Sequence, residues 1–454
     1  MTTPRVRIIR GGEWNPDVVR AELGLEPLAL QPLESPALTI DGAIEPDATA
    51  WLAHVFSRTR GRTGTKTAES YAESLCLFLE YVASQSSTLR GVTNKHIVGY
   101  VNRRTVDEDT RVSGSTWSRD RTAIKQFYEW MQINHNITLP FTVDHLTTSR
   151  GTVTSMREGR GVAKASAAGT PLEPPQVGQL LAAAWRLDSS GQVDDRNVTG
   201  PRDAAFIALG VACGARANTL AHLTVYDLPD PRTQEHLIEM RLPAVIAKTR
   251  REVRLPAFVN HLKHVWSYAE QNGGSRTALL RDWKPESPIH VAEQPTPQRR
   301  TIIDTRGNEH PLAMMSAADR RRLVTPEGDT AMLFLSARDG SPLSYATARE
   351  LTANASELAE TRADLLGDVF PHVHTHDLRH TYATHLAALF LLGIPTAPGR
   401  DMHGKPHRVD IRSAVQLAST GLGHVSEATT ALYIQQVGMM VLRYTLDDFL
   451  GGGR

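Results

Sequence analysis

The feature that most constrains this chain is a set of five chemistry-bearing segments spread from Arg216 to Tyr433. They are Arg216 in VACGARANTLAHL, Lys248 in IAKTRREVRLP, His376, Arg379 and His380 in HTHDLRHTYATHL, His424 at the end of LGH, and Tyr433 in EATTALYIQQ. Nothing local joins them, so only a tertiary fold can bring them together. Taken singly, each has an ordinary explanation. An arginine after an apolar helix broken by Gly214 is usually a surface or ion-paired residue. A lysine at a strand turn is usually solvated, and a helical tyrosine is more often core than nucleophile. The information lies in the order Arg … Lys … His-x-x-Arg … Leu-Gly-His … Tyr, and in the spacing from His424 to Tyr433.

Composition excludes more than it assigns. With 454 residues, the chain is long enough for about two or three domains. Hydrophobic residues at 41% and charged residues at 22% are an ordinary globular balance, which excludes wholesale disorder. The longest nearly apolar stretch, 204–215, is too short for a membrane span. The start, MTTPRVRIIRGG, has no apolar core of a secretory signal. Cys76 and Cys213 cannot form a disulfide framework, so a reducing cytoplasm is the expected home. The net charge of +1 identifies no partner, because nucleic-acid binding needs only a local basic surface.

Along the chain, residues 1–45 lack periodicity and read as an N-terminal arm. A helical domain is expected over 46–145. Tyr71, Leu75, Phe78, Leu79 and Val82 share one helical face, and 93–102 reads as a short helix. A helix over 115–133 buries Trp117, Ile124, Phe127, Tyr128 and Met131 and turns Arg119, Arg121 and Lys125 outward. The stretch 57–66 carries Arg58, Arg60, Arg62 and Lys66 without an acid, and reads as a solvated or phosphate-contacting loop. Residues 146–171 are rich in Gly, Ser, Thr and Ala, and Arg150, Arg157, Arg160 and Lys164 face one acid, Glu158. They read as a flexible basic linker, either a tether or a strap across a DNA backbone. The remainder, 172–454, reads as mostly helical. The exception is 237–256, two alternating apolar runs that predict a β-hairpin with Lys248 and Arg250 at its basic tip. Segments 271–330 and 393–413 read as insertions, the first weakly structured. The amphipathic tail IQQVGMMVLRYTLDDFL (434–450) either docks on a neighbouring copy or closes its own core.

In HDLRHTYATHL, in LGH with its following tyrosine, and in the order of the Arg216 and Lys248 segments, the chain resembles the tyrosine recombinase (phage integrase) family over about 46–271 and 331–445. The resemblance implies a mainly α fold with a small β-sheet or hairpin: a helical SAM-like core-binding domain followed by a tyrosine-recombinase catalytic domain. It implies a site-specific recombinase that cuts and rejoins DNA through a covalent 3′-phosphotyrosine, without metal, ATP or other cofactor. Tyr433 would be the nucleophile. Arg216 and Arg379 would clamp the non-bridging oxygens, and His424 would add a donor. Lys248 would be the general acid and His376 the general base. His380, Thr381, Tyr382 and Thr384 would be structural. The implied partners are double-stranded DNA with an inverted-repeat site, further copies forming a homotetramer on two paired sites, and accessory DNA-bending or directionality proteins, on the nucleoid rather than a membrane. The two domains would clamp the duplex. One departure stands out: the family often has an acid three residues after the first arginine, and this chain has Thr219.

Three rival readings have discriminating features. The His376/His380 pair has the i, i+4 spacing of a zinc helix, but a zincin needs Glu where Asp377 stands, and Arg379 would bring a cation to the metal. A type IB topoisomerase shares the tyrosine chemistry but relaxes one duplex instead of exchanging strands between two. A non-catalytic DNA-binding accessory protein would have no use for Tyr433.

Overall fold

The apolar stripe read at Tyr71, Leu75, Phe78, Leu79 and Val82 is the inner face of a 23-residue helix, Arg62–Ser84. The computed structural model describes residues 5–10, 35–59, 62–148, 151–162, 169–186, 198–247, 251–270, 275–392, 413, 415 and 427–450. The chain divides into two units, Met1–Ala167 and Ala168–Arg454.

Helices α1 (Pro46–Thr59), α2 (Arg62–Ser84), α3 (Asn94–Thr105) and α4 (Gly114–His135) build the first unit. Aromatic rings hold its centre. Trp51 of α1 stacks on Tyr71 of α2 at 5.5 Å and meets Phe127 of α4 edge-on at 5.7 Å. Each later helix starts where its sequence says it should. Thr93 forms a capping box with His96 ahead of α3, and the Ser113 hydroxyl accepts from the Thr116 amide ahead of α4. Asp120, fully buried on α4, accepts from Ser74 at 2.8 Å and from Arg104 at 2.7 Å. A buried carboxylate needs such donors, because its uncompensated charge would cost several kcal/mol, of order ~3–5.

Two expectations for this unit are corrected. The supposed N-terminal arm contains β1 (Val6–Ile9), β2 (Ala37–Ile40) and β3 (Ala43–Ile44), an antiparallel sheet that puts Val6 and Leu38 into the same core. The supposed flexible linker opens as a hairpin, β4 (Val143–Thr148) paired with β5 (Gly151–Met156). Met156 enters the core, and the Trp117 indole donates to the Gly159 carbonyl at 2.7 Å. Gly159 has φ +64°, and a Cβ there would overlap the indole ring, so only glycine fits. The sequence through 162 therefore belongs to this unit.

The second unit is built around α6 (Gly200–Cys213), whose residues are all buried, with α5 (Pro174–Trp185) before it and the four-residue α7 (Ala217–Leu220) after it. The expected hairpin is present as β6 (Leu237–Leu242) and β7 (Val253–Phe258), followed by α8 (Val259–Ala269). The segment expected to be weakly structured is instead folded from residue 275 on. It forms a four-stranded sheet of β8 (Ile289–Glu293), β9 (Thr301–Asp304), β10 (Glu309–Pro311) and, after α9 (Ala317–Arg321), β11 (Leu323–Val324), in the order β10-β9-β8-β11. Two buried arginines fasten it. Arg320 pairs with Asp227 at 2.6 Å, both side chains fully buried, and Arg276 donates to the carbonyls of Thr330 and Met332. Strands this short carry little periodicity, and their anchors look like surface charges in sequence.

Helices α10 (Tyr345–Leu365) and α11 (Thr375–Leu392) complete the body of the unit. Every residue of α11 from Asp377 to Leu389 is buried, as expected of a helix surrounded by others. Last come α12 (Glu427–Arg443) and α13 (Leu446–Leu450). Val437, Met440 and Phe449 sink into this unit's own core, while Arg443 and Tyr444 bond Glu173 at 2.8 and 2.6 Å. Of the two readings of the tail, the described residues follow the one that closes its own core. The insertion at 393–413 lies outside the described residues, Ser413 apart. Among the described residues no helix is long and apolar enough to cross a membrane.

Candidate active site

Gly214 ends α6 in the left-handed conformation, φ +60°, which costs glycine little and other residues more. The chain then turns extended at Arg216, which heads α7. Arg216 is half-buried, and burial pulls its pKa below the ordinary arginine value. No carboxylate among the described residues offsets that cost. Arg379, 3% exposed on α11, donates from its guanidinium to the Gly214 carbonyl at 2.7 Å. Arg379 thus bonds the backbone two residues before Arg216, although 163 residues separate the two arginines in sequence.

The start of α11 is fixed before it reaches Arg379. The Asp377 carboxylate accepts from the His374 amide at 2.8 Å, and the Val373 amide donates to Ser356 on α10 at 2.7 Å. His376 is exposed one turn ahead of Arg379, and its ring meets that of His380 edge-on at 4.8 Å. Burial, reinforced by His376 and Arg379, pushes the His380 pKa down to about 4, so this ring is neutral at pH 7. A neutral, buried His380 fits the structural role expected for it. Among the described residues no group of three or more His, Cys, Asp or Glu side chains is placed to hold a metal ion.

Two buried hydroxyls join α7 and α11 to the hairpin. Thr219 Oγ1 on α7 donates to the Ile246 carbonyl at 3.2 Å, and the Tyr382 hydroxyl on α11 donates to the Pro256 carbonyl of β7 at 2.7 Å. Sequence reasoning missed both contacts; the one signal it had was the non-acidic residue at 219. Lys248 and His424 lie outside the described residues. Tyr433 falls within α12, which packs on α11; its side chain is not among those described.

The candidate DNA-contacting residues are less uniform than their charges suggest. Arg58 is exposed in the last turn of α1, Arg62 opens α2, and Lys66 is exposed on α2. Arg119 is exposed, 3.6 Å from Asp120 and 3.9 Å from Glu73. Lys125 pairs with Glu129 at 2.7 Å. Arg157 and Arg160 share Asp144, at 2.7 and 3.2 Å. Burial, then the charge of Arg160, lowers the Arg121 pKa. Arg60, Arg150, Lys164 and Arg250 lie outside the described residues.

A further buried histidine gives a pH prediction. His385 of α11 is 2% exposed, its Nε2 lies 2.8 Å from the Leu172 carbonyl, and burial lowers its pKa to about 4. Its folded pKa lies below the unfolded value of 6.5, so the neutral form stabilises the fold above pH 6.5. That contribution is lost as pH falls toward 4. Between pH 7 and pH 5 the loss from this one group is about 2 kcal/mol. His385→Gln keeps an N–H donor without the titration, so its melting temperature should fall less between these pH values. Equal falls in wild type and variant would contradict the assignment.

A helical unit with its own aromatic core, followed by a unit that carries a half-buried and a buried arginine, an HxxR helix and a tyrosine-bearing helix packed on it, fits a class of DNA strand-transfer enzymes. Residues 172–389 match the sequence model of the phage integrase family, and residues 49–133 match that of the phage integrase N-terminal SAM-like domain. The chain belongs to the phage integrase family: it is a tyrosine-type site-specific recombinase, an enzyme that cleaves and rejoins DNA. The expected fold class is the observed one. Among solved structures it is similar to the XerH site-specific recombinase bound to palindromic difH substrate in a post-cleavage complex, at 13% identity over 86% of each chain with a TM-score of 0.47. It is also similar to a lambda integrase dimer bound to a COC′ core site, at 13% identity over 86% of this chain and 94% of that one, TM-score 0.45. A third is the Tn1549 transposon integrase in complex with circular intermediate DNA, at 14% identity over 90% and 99%, TM-score 0.46. No curated protein matches the sequence.

Proposed function

We propose that this recombinase breaks and reseals each strand through a 3′-phosphotyrosine on Tyr433, without metal or ATP. The Tyr433 oxygen forms a bond to phosphorus, and the bond from phosphorus to the 5′ oxygen breaks. His376 takes the tyrosine proton, and Lys248 gives a proton to the leaving 5′ oxygen. Arg216 and Arg379 hold the non-bridging oxygens, with His424 as a further donor. Rejoining is the same reaction in reverse from another 5′ hydroxyl, so bond energy is conserved and no nucleotide is spent. The observation that supports this reading is the bond from buried Arg379 to the Gly214 carbonyl, two residues before Arg216, a half-buried guanidinium with no carboxylate partner among the described residues.

The finer reading is that four copies act on two paired inverted-repeat duplexes on the nucleoid in the cytoplasm, helped by DNA-bending or directionality proteins. Phosphate contacts from residues such as Arg58, Lys66, Arg119 and Arg121 supply much of the affinity, so binding falls steeply with salt. The test is strand exchange between two labelled duplexes bearing the target site, in excess EDTA and without ATP. Exchange at an undiminished rate is the expected result. Relaxation of a supercoiled circle without exchange favours topoisomerase chemistry, and loss of cleavage in EDTA contradicts the mechanism.

A further inference from the structure

We infer that Gly169 is a positioning residue for His376: its bare backbone lies against the two residues that hold that histidine in place, where no side chain fits. This rests on the reading of His376 as general base. Residues 169–173 form a strap laid along α11 on the way into α5. Gly169 lies against Asp377 and His380. The Leu172 amide donates to Thr381 Oγ1 at 3.0 Å, and the Leu172 carbonyl lies 2.8 Å from His385 Nε2. Asp377, Thr381 and His385 are spaced four residues apart, which puts them on one stripe of the helix. Past the stripe, the Glu173 carboxylate holds Arg443 and Tyr444 at 2.8 and 2.6 Å. The strap cannot lift from α11 without breaking these bonds.

Both neighbours of Gly169 bear on His376. Asp377 is buried; its carboxylate accepts from the His374 amide at 2.8 Å, and its own amide donates to the His374 carbonyl at 2.9 Å. That reciprocal pair closes the turn on which His376 stands. Thr381 Oγ1, which receives the Leu172 amide, donates in turn to the Asp377 carbonyl at 2.8 Å. His380 is also buried, and its ring meets the His376 ring at 4.8 Å. A Cβ at 169 would overlap the Asp377 carboxylate and come within 2.9 Å of His380 Cδ2. The carboxylate could yield only by leaving the His374 amide, and the ring only by moving against His376. Glycine, the one residue without a Cβ, fits this place.

The test asks whether a change at 169 acts through His376. Gly169→Ala, His376→Gln and the double variant are compared with wild type for covalent product in a single turnover at saturating DNA. The substrate is a nicked duplex of the sequence recovered covalently attached to the wild-type protein. Gly169→Ala is expected to cleave about 10- to 100-fold more slowly than wild type, the range for a catalytic group displaced by about an ångström. Added to His376→Gln, the same change should cost no more than about 2- to 3-fold, because a base that is gone cannot be misplaced. A loss that came only from the fold would slow both backgrounds equally. If Gly169→Ala melts below the assay temperature, Thr381→Val takes its place. It keeps the volume and cuts the hydroxyl's bonds to Leu172 and Asp377, and it must slow the wild-type background and spare the His376→Gln one. Equal slowing in both backgrounds, or cleavage by Gly169→Ala at the wild-type rate, overturns the proposal and leaves His376 as the base. Cleavage by His376→Gln at the wild-type rate removes the general-base reading, and the proposal with it.

Discussion

Changing Tyr433 to phenylalanine is expected to abolish strand cleavage, by at least about 10,000-fold, while DNA binding stays within a few-fold of wild type. The change deletes one oxygen and keeps the ring, on a helix whose packing rests on Val437 and Met440. A hydroxide cannot replace the nucleophile, because it would leave a free 3′-phosphate end with no energy stored for rejoining. The readout is covalent protein–DNA product on a nicked duplex, with a binding assay in parallel. Loss of both together would mean misfolding and decide nothing about chemistry. Full cleavage with retained binding would place the nucleophile elsewhere and reopen the accessory-protein reading.

Replacing Arg379 with alanine should cost about 1,000-fold in cleavage rate, since even one lost donor at a developing charge costs ~100–1,000-fold. One nitrogen of its guanidinium donates to the Gly214 carbonyl, two residues before Arg216. Lysine keeps the charge but not the planar fork, so Arg379→Lys should recover little of the loss. Arg379 lies fully inside the unit, so the alanine variant should also melt at a lower temperature, with the Gly214 carbonyl left without its donor. The diagnostic comparison is cleavage at saturating DNA well below the melting point. A rate within ten-fold of wild type there would show that Arg379 serves the fold alone.

Much of this molecule is written locally, and what was missed is non-local. Periodicity finds α2 and α4 because each buries a stripe of large side chains, and cap residues such as Thr93 and Ser113 mark their starts. The hairpin β6–β7 is legible because its alternation runs for six residues on each strand. The basic stretch after 145 misleads because Thr and Gly dominate its composition. Its order comes from Trp117 bonding Gly159 and from Asp144 gathering Arg157 and Arg160, contacts that no window of sequence contains. The inserted sheet misleads for the same reason, with Arg320 and Asp227 lying 93 residues apart. At the site, the order of residue types identifies Arg216 and Arg379, but the Gly214 carbonyl that Arg379 bonds is backbone and invisible to any motif. Thr219 was legible only as a departure; what it bonds had to be seen.

The central claim is a covalent bond between Tyr433 and DNA, and it can be measured before the target site is identified. Cells carrying the native DNA and expressing the protein are denatured rapidly, and covalently attached DNA is recovered. The DNA is sequenced, and the protein is trimmed with nuclease and trypsin for mass spectrometry. The tryptic peptide 413–443 contains a single tyrosine, Tyr433. The account predicts nucleotide mass on that peptide alone, DNA focused on one inverted-repeat sequence, and neither signal with Tyr433→Phe. Nucleotide mass on any other peptide, or attachment that persists in Tyr433→Phe, would contradict it.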